Sequence, residues 1–427
     1  SARARDAARR HPDLCTLTEI GASQAGDPIP MVSIGHGDTS ILMFASPHPN
    51  EPIGAMLTHF LLEELISDES LREGRTWHII PCIDPDGTRL NEDWFGGPFT
   101  LKNYCRNFYR PKGENQAEWT FPFEYKTFRF DTPIPETQAL MRAIDQTRPA
   151  VMYALHNAGF GGAYYYISGP LEPAYETFHR LPTERGLPLS LGEPEMPYCT
   201  EFHPGVYKTV SVRDAYDYYE RFTEGDPAKR IFAGGSSKDY AASVSDPFCL
   251  ITEVPYFITA KVNDQTTVEK TRGEVILDGL DAAQELLSFA RQIVEKTKHL
   301  VHEGPLLKDA AVTFIPHMLE DLEGMRSWAQ TDEAMNEPAT VAQQFDAREI
   351  KLFYNGLIIS MYRRAMGMQL AKGDDPFLRS QYELLDTRLD ELMDHLGTVL
   401  EYEAASIQSL VQIQYGALLA TLDALGR

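Results

Sequence analysis

The sequence predicts an α/β fold followed by a region that is helical throughout, and three observations carry that prediction. Up to about residue 260, short apolar runs of strand type alternate with segments of helical period, the pattern of α/β domains. One intervening segment, "PETQALMRAIDQTRP" (135–149), has the marks of a crossover helix, opened by Pro135 and Glu136 and closed before Pro149. From about 266 onward the strand signal stops, and "TVEKTRGEVILDGLDAAQELLSFARQIVEKTKHLV" begins a helical tail.

The elements follow in order. "ILMFAS" (41–46) reads as a strand, and "IGAMLTHFLLEEL" (53–65) as the helix it feeds, with Ile53, Met56, Leu57, Phe60, Leu61 and Leu65 on one face. Further strands are "WHIIPCID" (77–84), "AVMYALHN" (150–157), "AYYYIS" (163–168) and "FCLITEV" (248–254). In the tail, Leu378, Tyr382, Leu385, Leu389, Leu392, Leu396 and Val399 alternate spacings of four and three, and a shifted set continues through Leu418. That apolar seam requires a partner, most simply 346–368 folded back against it, or a second copy of the chain in a homo-oligomer. The length of 427 residues suits one large domain and a smaller one, with a border at "HEGPLL": 1–304 and 305–427.

Composition excludes several classes. A formal charge of −23 opposes nucleic-acid binding, which needs clustered Lys and Arg. No apolar run approaches the roughly 20 residues of a membrane span. The opening "SARARDAARRHPD" lacks the apolar stretch of a secretory signal, so a cytoplasmic location is expected. Five widely spaced cysteines, none in a CxxC, support neither a disulfide scaffold nor a cysteine zinc site.

The chemistry starts at "ASPHPNEPIG" (45–54), where His48 and Glu51 fall in the turn between a strand and its helix. In open α/β sheets that crevice receives ligands. His-x-x-Glu recurs at His317 and Glu320, but there it lies inside a helical stretch with no strand before it and no implied cleft. A catalytic zinc takes three protein ligands, and His₂Glu is one such set. His156 meets the demand for the third, since "VMYALHNAGFGG" runs as a buried strand, reaches His156 and breaks into a glycine-rich loop. A general base is still needed to accept a proton from water. Glu253 sits in the otherwise apolar "FCLITEVPYF", where a carboxylate is costly unless it ends the strand in a functional pocket.

These residues resemble the zinc carboxypeptidase family typified by carboxypeptidase A. The likeness spans roughly 15–295 and includes "TEIGASQAGDPIPMVSIG", "HPNE", "DPDG" (84–87), "PETQAL", "LHN", "AGGSSKDY" and "ITEVPYF" in family order. It implies a mixed central sheet flanked by helices, with the tail as an addition. It implies one zinc ion per chain on His48, Glu51 and His156, with Glu253 as general base and then general acid. Arg106 in "NYCRNF" fits the arginine that grips a terminal carboxylate; Cys105 stands where the family has asparagine, leaving Asn103 or Asn107 to substitute. For the arginine that stabilises the oxyanion, Arg89 is favoured over Arg110. The family's mobile tyrosine has no match, because Ile231 and Phe232 hold that stretch, and Tyr240 or a tyrosine of 214–222 would have to serve. Ser237 and Lys238, just after "GGS", are expected in the pocket for the substrate's terminal residue. The implied activity is release of a C-terminal residue from a peptide or amide with a free carboxylate. Two alternatives stay open: a zinc-dependent deacylase of N-acyl amino acids, and an inactive peptide-binding module.

Overall fold

The computed structural model describes residues 2–427 and is built on a nine-stranded mixed sheet. In chain order its strands are β1 (Cys15–Ala22), β2 (Pro28–Gly35), β3 (Thr39–Ala45), β4 (Arg75–Ile80), β5 (Val151–His156), β6 (Tyr164–Ile167), β7 (Glu201–His203), β8 (Val206–Lys208) and β9 (Phe248–Glu253). Their order across the sheet is β1-β2-β4-β3-β5-β9-β6-β8-β7. The central run β4-β3-β5-β9 is parallel throughout, and its strands are the apolar runs of the sequence, as expected for strands covered on both faces.

Side chains alternate across this sheet with period two. In β3, Ile41, Met43 and Ala45 enter one apolar core while Leu42 and Phe44 enter the opposite one. Helix α1 (Ile53–Ser67) covers the first face against β3 and β5, and α2 (Pro135–Thr147) covers the second against β1, β2 and β3. Close approach of α1 depends on Gly54, where a Cβ would lie 2.5 Å from that of Leu155. Met56 and Phe60, expected on the apolar face of α1, are exposed instead.

The C-terminal region is helical: α3 (Arg272–Thr297), α4 (Pro305–Thr331), α5 (Lys351–Lys372), α6 (Pro376–Leu400) and α7 (Ile407–Ala424). Three short strands interrupt it, Thr267–Thr271, Pro338–Thr340 and Glu403–Ala404, against the expectation that strands end near 266. Helix α5 does fold against α6, burying Leu378, Leu385, Leu389 and Leu396. The shift in the seam marks a break. Glu401 takes a left-handed conformation (φ 46°), and α7 leaves to pack on α1 and β9. Gly304 separates α3 from α4, yet the apolar core does not divide there: Leu57, Tyr104 and Val254 share one cluster with Phe353, Leu389 and Leu418. Among the described residues no helix is long and apolar enough to cross a membrane.

Candidate active site

Three adjacent parallel strands deliver the site at their carboxyl ends. β3 ends at Ala45, Ser46 turns the chain with φ 54°, and His48 and Glu51 follow before α1. β5 ends on His156 and β9 on Glu253, which lie opposite each other in register. The turn is pinned: Asn157 Oδ1 accepts from the Ile53 N–H (3.1 Å), and Tyr256 donates to the Asn50 carbonyl (2.9 Å).

His48, Glu51 and His156 are all buried, and one ligand atom from each lies within 4.8 Å of the others. Glu51 holds the pair together, with one oxygen 2.9 Å from His48 Nδ1 and the other 3.2 Å from His156 Nδ1. The two Nδ1 atoms are 3.2 Å apart. Two ring nitrogens and a carboxylate converging in a buried pocket are the donor set zinc takes, and His156 Nε2, buried without a hydrogen-bond partner, leaves that ring held only from its Nδ1 side. The residues therefore fit a divalent metal. Trp119 donates its indole N–H to His48 Nε2 (3.2 Å); a His48 ring ligating through Nδ1 carries its proton on Nε2, so Trp119 must then turn its N–H away.

The electrostatics divide the carboxylates. Burial opposes ionisation of Glu51, but the His48 and His156 imidazoles outweigh it and hold its carboxyl far below the ordinary range. Burial, followed by the charges of Glu51 and Glu195, pushes Glu253 well above that range, with Arg110 opposing. Burial and Arg110 lower the His48 imidazole to about 3, keeping it neutral and free to ligate. Glu253 stands 3.7 Å from His156 Nδ1.

One cavity of about 590 Å³ contains all four residues. Of the other residues singled out in the sequence, Ser237 and Lys238 also line it. Arg106 does not. Its short helix, Leu101–Asn107, turns Tyr104 and Cys105 inward and Arg106 outward to Asp386 and Asp390 of α6. On the same helix Asn103 donates to the Pro98 carbonyl, and Asn107 to that of Asn103. Arg89 projects from Pro85–Arg89 to Asp27 and Asp86, half exposed. Tyr240 bonds Asp145 and is likewise absent from the cavity wall. The arginine that reaches the metal ligands is Arg110, 3.5 Å from Glu51.

Other lining residues had no legible signal. Glu118 is buried, accepts from Ser237 Oγ at 2.5 Å, leaves its second oxygen unpartnered, and is pushed up to about 7 chiefly by burial. Glu195 is held by the hydroxyls of Tyr164 (2.6 Å) and Tyr166 (2.9 Å). His317, in a helical stretch that implies no cleft, lines the cavity from α4 and stacks on Phe232. A pattern of residue types does not report which helix folds over the cavity.

A triad able to hold a metal, beside a buried carboxylate at the carboxyl ends of parallel strands, is the arrangement of a candidate metal-dependent hydrolase. The family model for zinc carboxypeptidases matches residues 2–246, and the chain belongs to that family. Glu253 and the whole tail lie beyond the matched segment. Among solved structures the chain is similar to carboxypeptidase A from Helicoverpa armigera, with 17% identity over 60% of this chain and 63% of that one and a TM-score of 0.40. It is also similar to a metallo-carboxypeptidase from Burkholderia cenocepacia, with 14% identity over 60% and 58% and a TM-score of 0.33. The match thus spans about three-fifths of the length of each of these carboxypeptidases.

Proposed function

We propose that the protein is a zinc-dependent metallocarboxypeptidase that releases the C-terminal residue of a peptide with a free carboxylate. The observation that carries this reading is the convergence of His48, Glu51 and His156 within 4.8 Å beside Glu253, in one cavity. Zinc bound by the three ligands supplies Lewis acidity, polarising a carbonyl and acidifying water.

The chain's own groups supply the rest. Glu253, whose proton affinity is raised by burial and by Glu51 and Glu195, takes a proton from water and hands it to the departing amine nitrogen. Arg110 is the cation beside the metal ligands, placed to bind a carboxylate or the oxyanion that develops on the carbonyl. Ser237 and Lys238 face the terminal residue of the substrate.

The test is hydrolysis of matched peptides with free and amidated C-termini by the zinc-loaded enzyme, with and without a chelator. The expected outcome is cleavage of the free acid alone, abolished by the chelator, and a loss of at least about 10²-fold in kcat for Glu253→Gln with metal retained. Equal cleavage of the amidated peptide, or undiminished turnover by Glu253→Gln, would refute the reading.

A further inference from the structure

The cavity is not built by the family-matched segment alone. Phe314, His317 and Met318 of α4 and Tyr354, Leu357 and Ile358 of α5 line it together with the metal ligands and Glu253. These residues come from the helical tail and form a largely apolar wall in the same chamber as the chemistry, with His317, Asp321 and Tyr354 among its polar members.

That wall is fastened to the cavity's other sides. Phe232 stacks on His317, Arg230 reaches Glu323 (2.7 Å) and the Glu320 carbonyl (3.2 Å), and the Tyr219 hydroxyl donates to Asp321 (3.0 Å). Helix α5 secures the segment carrying Arg110: Arg364 donates to the carbonyls of Asn107 and Phe108, both at 2.8 Å. The Tyr354 hydroxyl accepts from the Gly159 N–H (3.1 Å), just beyond His156.

We propose that α4 and α5 confine this site to short substrates, di- and tripeptides with an apolar residue before the bond that is cut, and exclude longer chains. The proposal rests on the carboxypeptidase reading. A bond attacked with Glu253 as base must lie beside Glu253, and the α4–α5 residues line the same cavity, so they bound the space left for the rest of the substrate. A volume of about 590 Å³ is that of a pocket for a small molecule rather than a cleft for a polypeptide. Ile358, Met318 and Phe314, each partly exposed, supply apolar contact to the residue that reaches them. A longer chain would have to leave past helices that the contacts above hold in place.

The experiment compares kcat/KM for a tripeptide and a decapeptide that share their last three residues. The decapeptide should be poorer by about tenfold or more, and Phe314→Ala and Met318→Ala should each narrow that gap severalfold, the size of a pocket-contact effect. Equal kcat/KM for the two lengths, or a gap that neither variant narrows, overturns the proposal. Titration calorimetry of Glu253→Gln with the same peptides reads length selection without turnover: tighter binding of the tripeptide supports it, and equal, reversed or absent binding overturns it. Absence of cleavage with selective binding of the short peptide counts against the proposed reaction and not against the wall.

Discussion

At the scale of single residues, the site depends on side chains that burial forces into defined protonation states. His156→Ala removes one of the three donors of the buried triad and leaves one imidazole and one carboxylate. The variant should lose its metal, and elemental analysis after dialysis checks this: about one equivalent retained per chain would move the site elsewhere. Asp84 offers a different test, because it is buried near the metal turn and caps Pro85–Arg89 by accepting from the Gly87 N–H. Burial, opposed by that bond and aided by Glu136 and Asp86, raises its carboxyl to about 7. The folded chain then holds a proton that the unfolded chain releases near pH 4, so stability falls as pH rises from about 4 to about 7. Asp84→Asn keeps the acceptor and cannot ionise. It should gain up to about 4 kcal/mol above pH 7 and almost nothing at pH 4. Urea unfolding at both pH values reads the difference, and an equal gain at both would show that Asp84 does not titrate in this way.

At the scale of elements, legibility followed burial. The parallel strands β3, β5 and β9 were readable because being covered on both faces makes them unbroken apolar runs, and the polar residues that end them stood out as His156 and Glu253. The short strands of the tail were not readable, since two to five residues pairing at an edge leave no period. Arg106 was misplaced for a related reason. A match of residue strings does not say which face of a seven-residue helix turns to solvent, and the acidic residues that claim Arg106 lie on α6, remote in sequence. Helix α7 contributes a contact that only the fold could expose. Gln414, fully buried, donates from its side-chain amide to the carbonyl of His156 at 2.7 Å, and its backbone carbonyl accepts from the Tyr153 hydroxyl (3.0 Å). Gln414→Leu should cost about 1–3 kcal/mol by leaving a buried carbonyl unpaired. It should also weaken metal binding about tenfold, as loss of a group supporting a ligand does. Chelator competition measures the second effect, and unchanged affinity in a destabilised variant would reduce Gln414 to a packing residue.

At the scale of the whole molecule, the tail shares its core and its cavity with the sheet that carries the candidate site. Residues 305–427 supply the wall of the cavity, the helix that supports His156, and one side of the main apolar core. Their removal would uncover the face of α1 and the short helix Leu101–Asn107, against which α7 and α5 pack. Buried residues such as Leu57, Leu61 and Tyr104 would lose neighbours from α5, α6 and α7 in one step. Uncovered apolar surface on that scale drives association rather than a smaller folded domain. The loss also falls on the site, since the carbonyl of His156 and the segment before Arg110 are both held from the tail. A chain ending at residue 304 is therefore expected to aggregate or to lack a cooperative thermal transition, and to have no chelator-sensitive hydrolysis. Size-exclusion chromatography, thermal unfolding and the peptide assay decide the matter together. A truncated chain that is monomeric, unfolds cooperatively and matches the parent's kcat/KM on a tripeptide would show that the helices are an accessory, and that the metal site is held by the sheet alone.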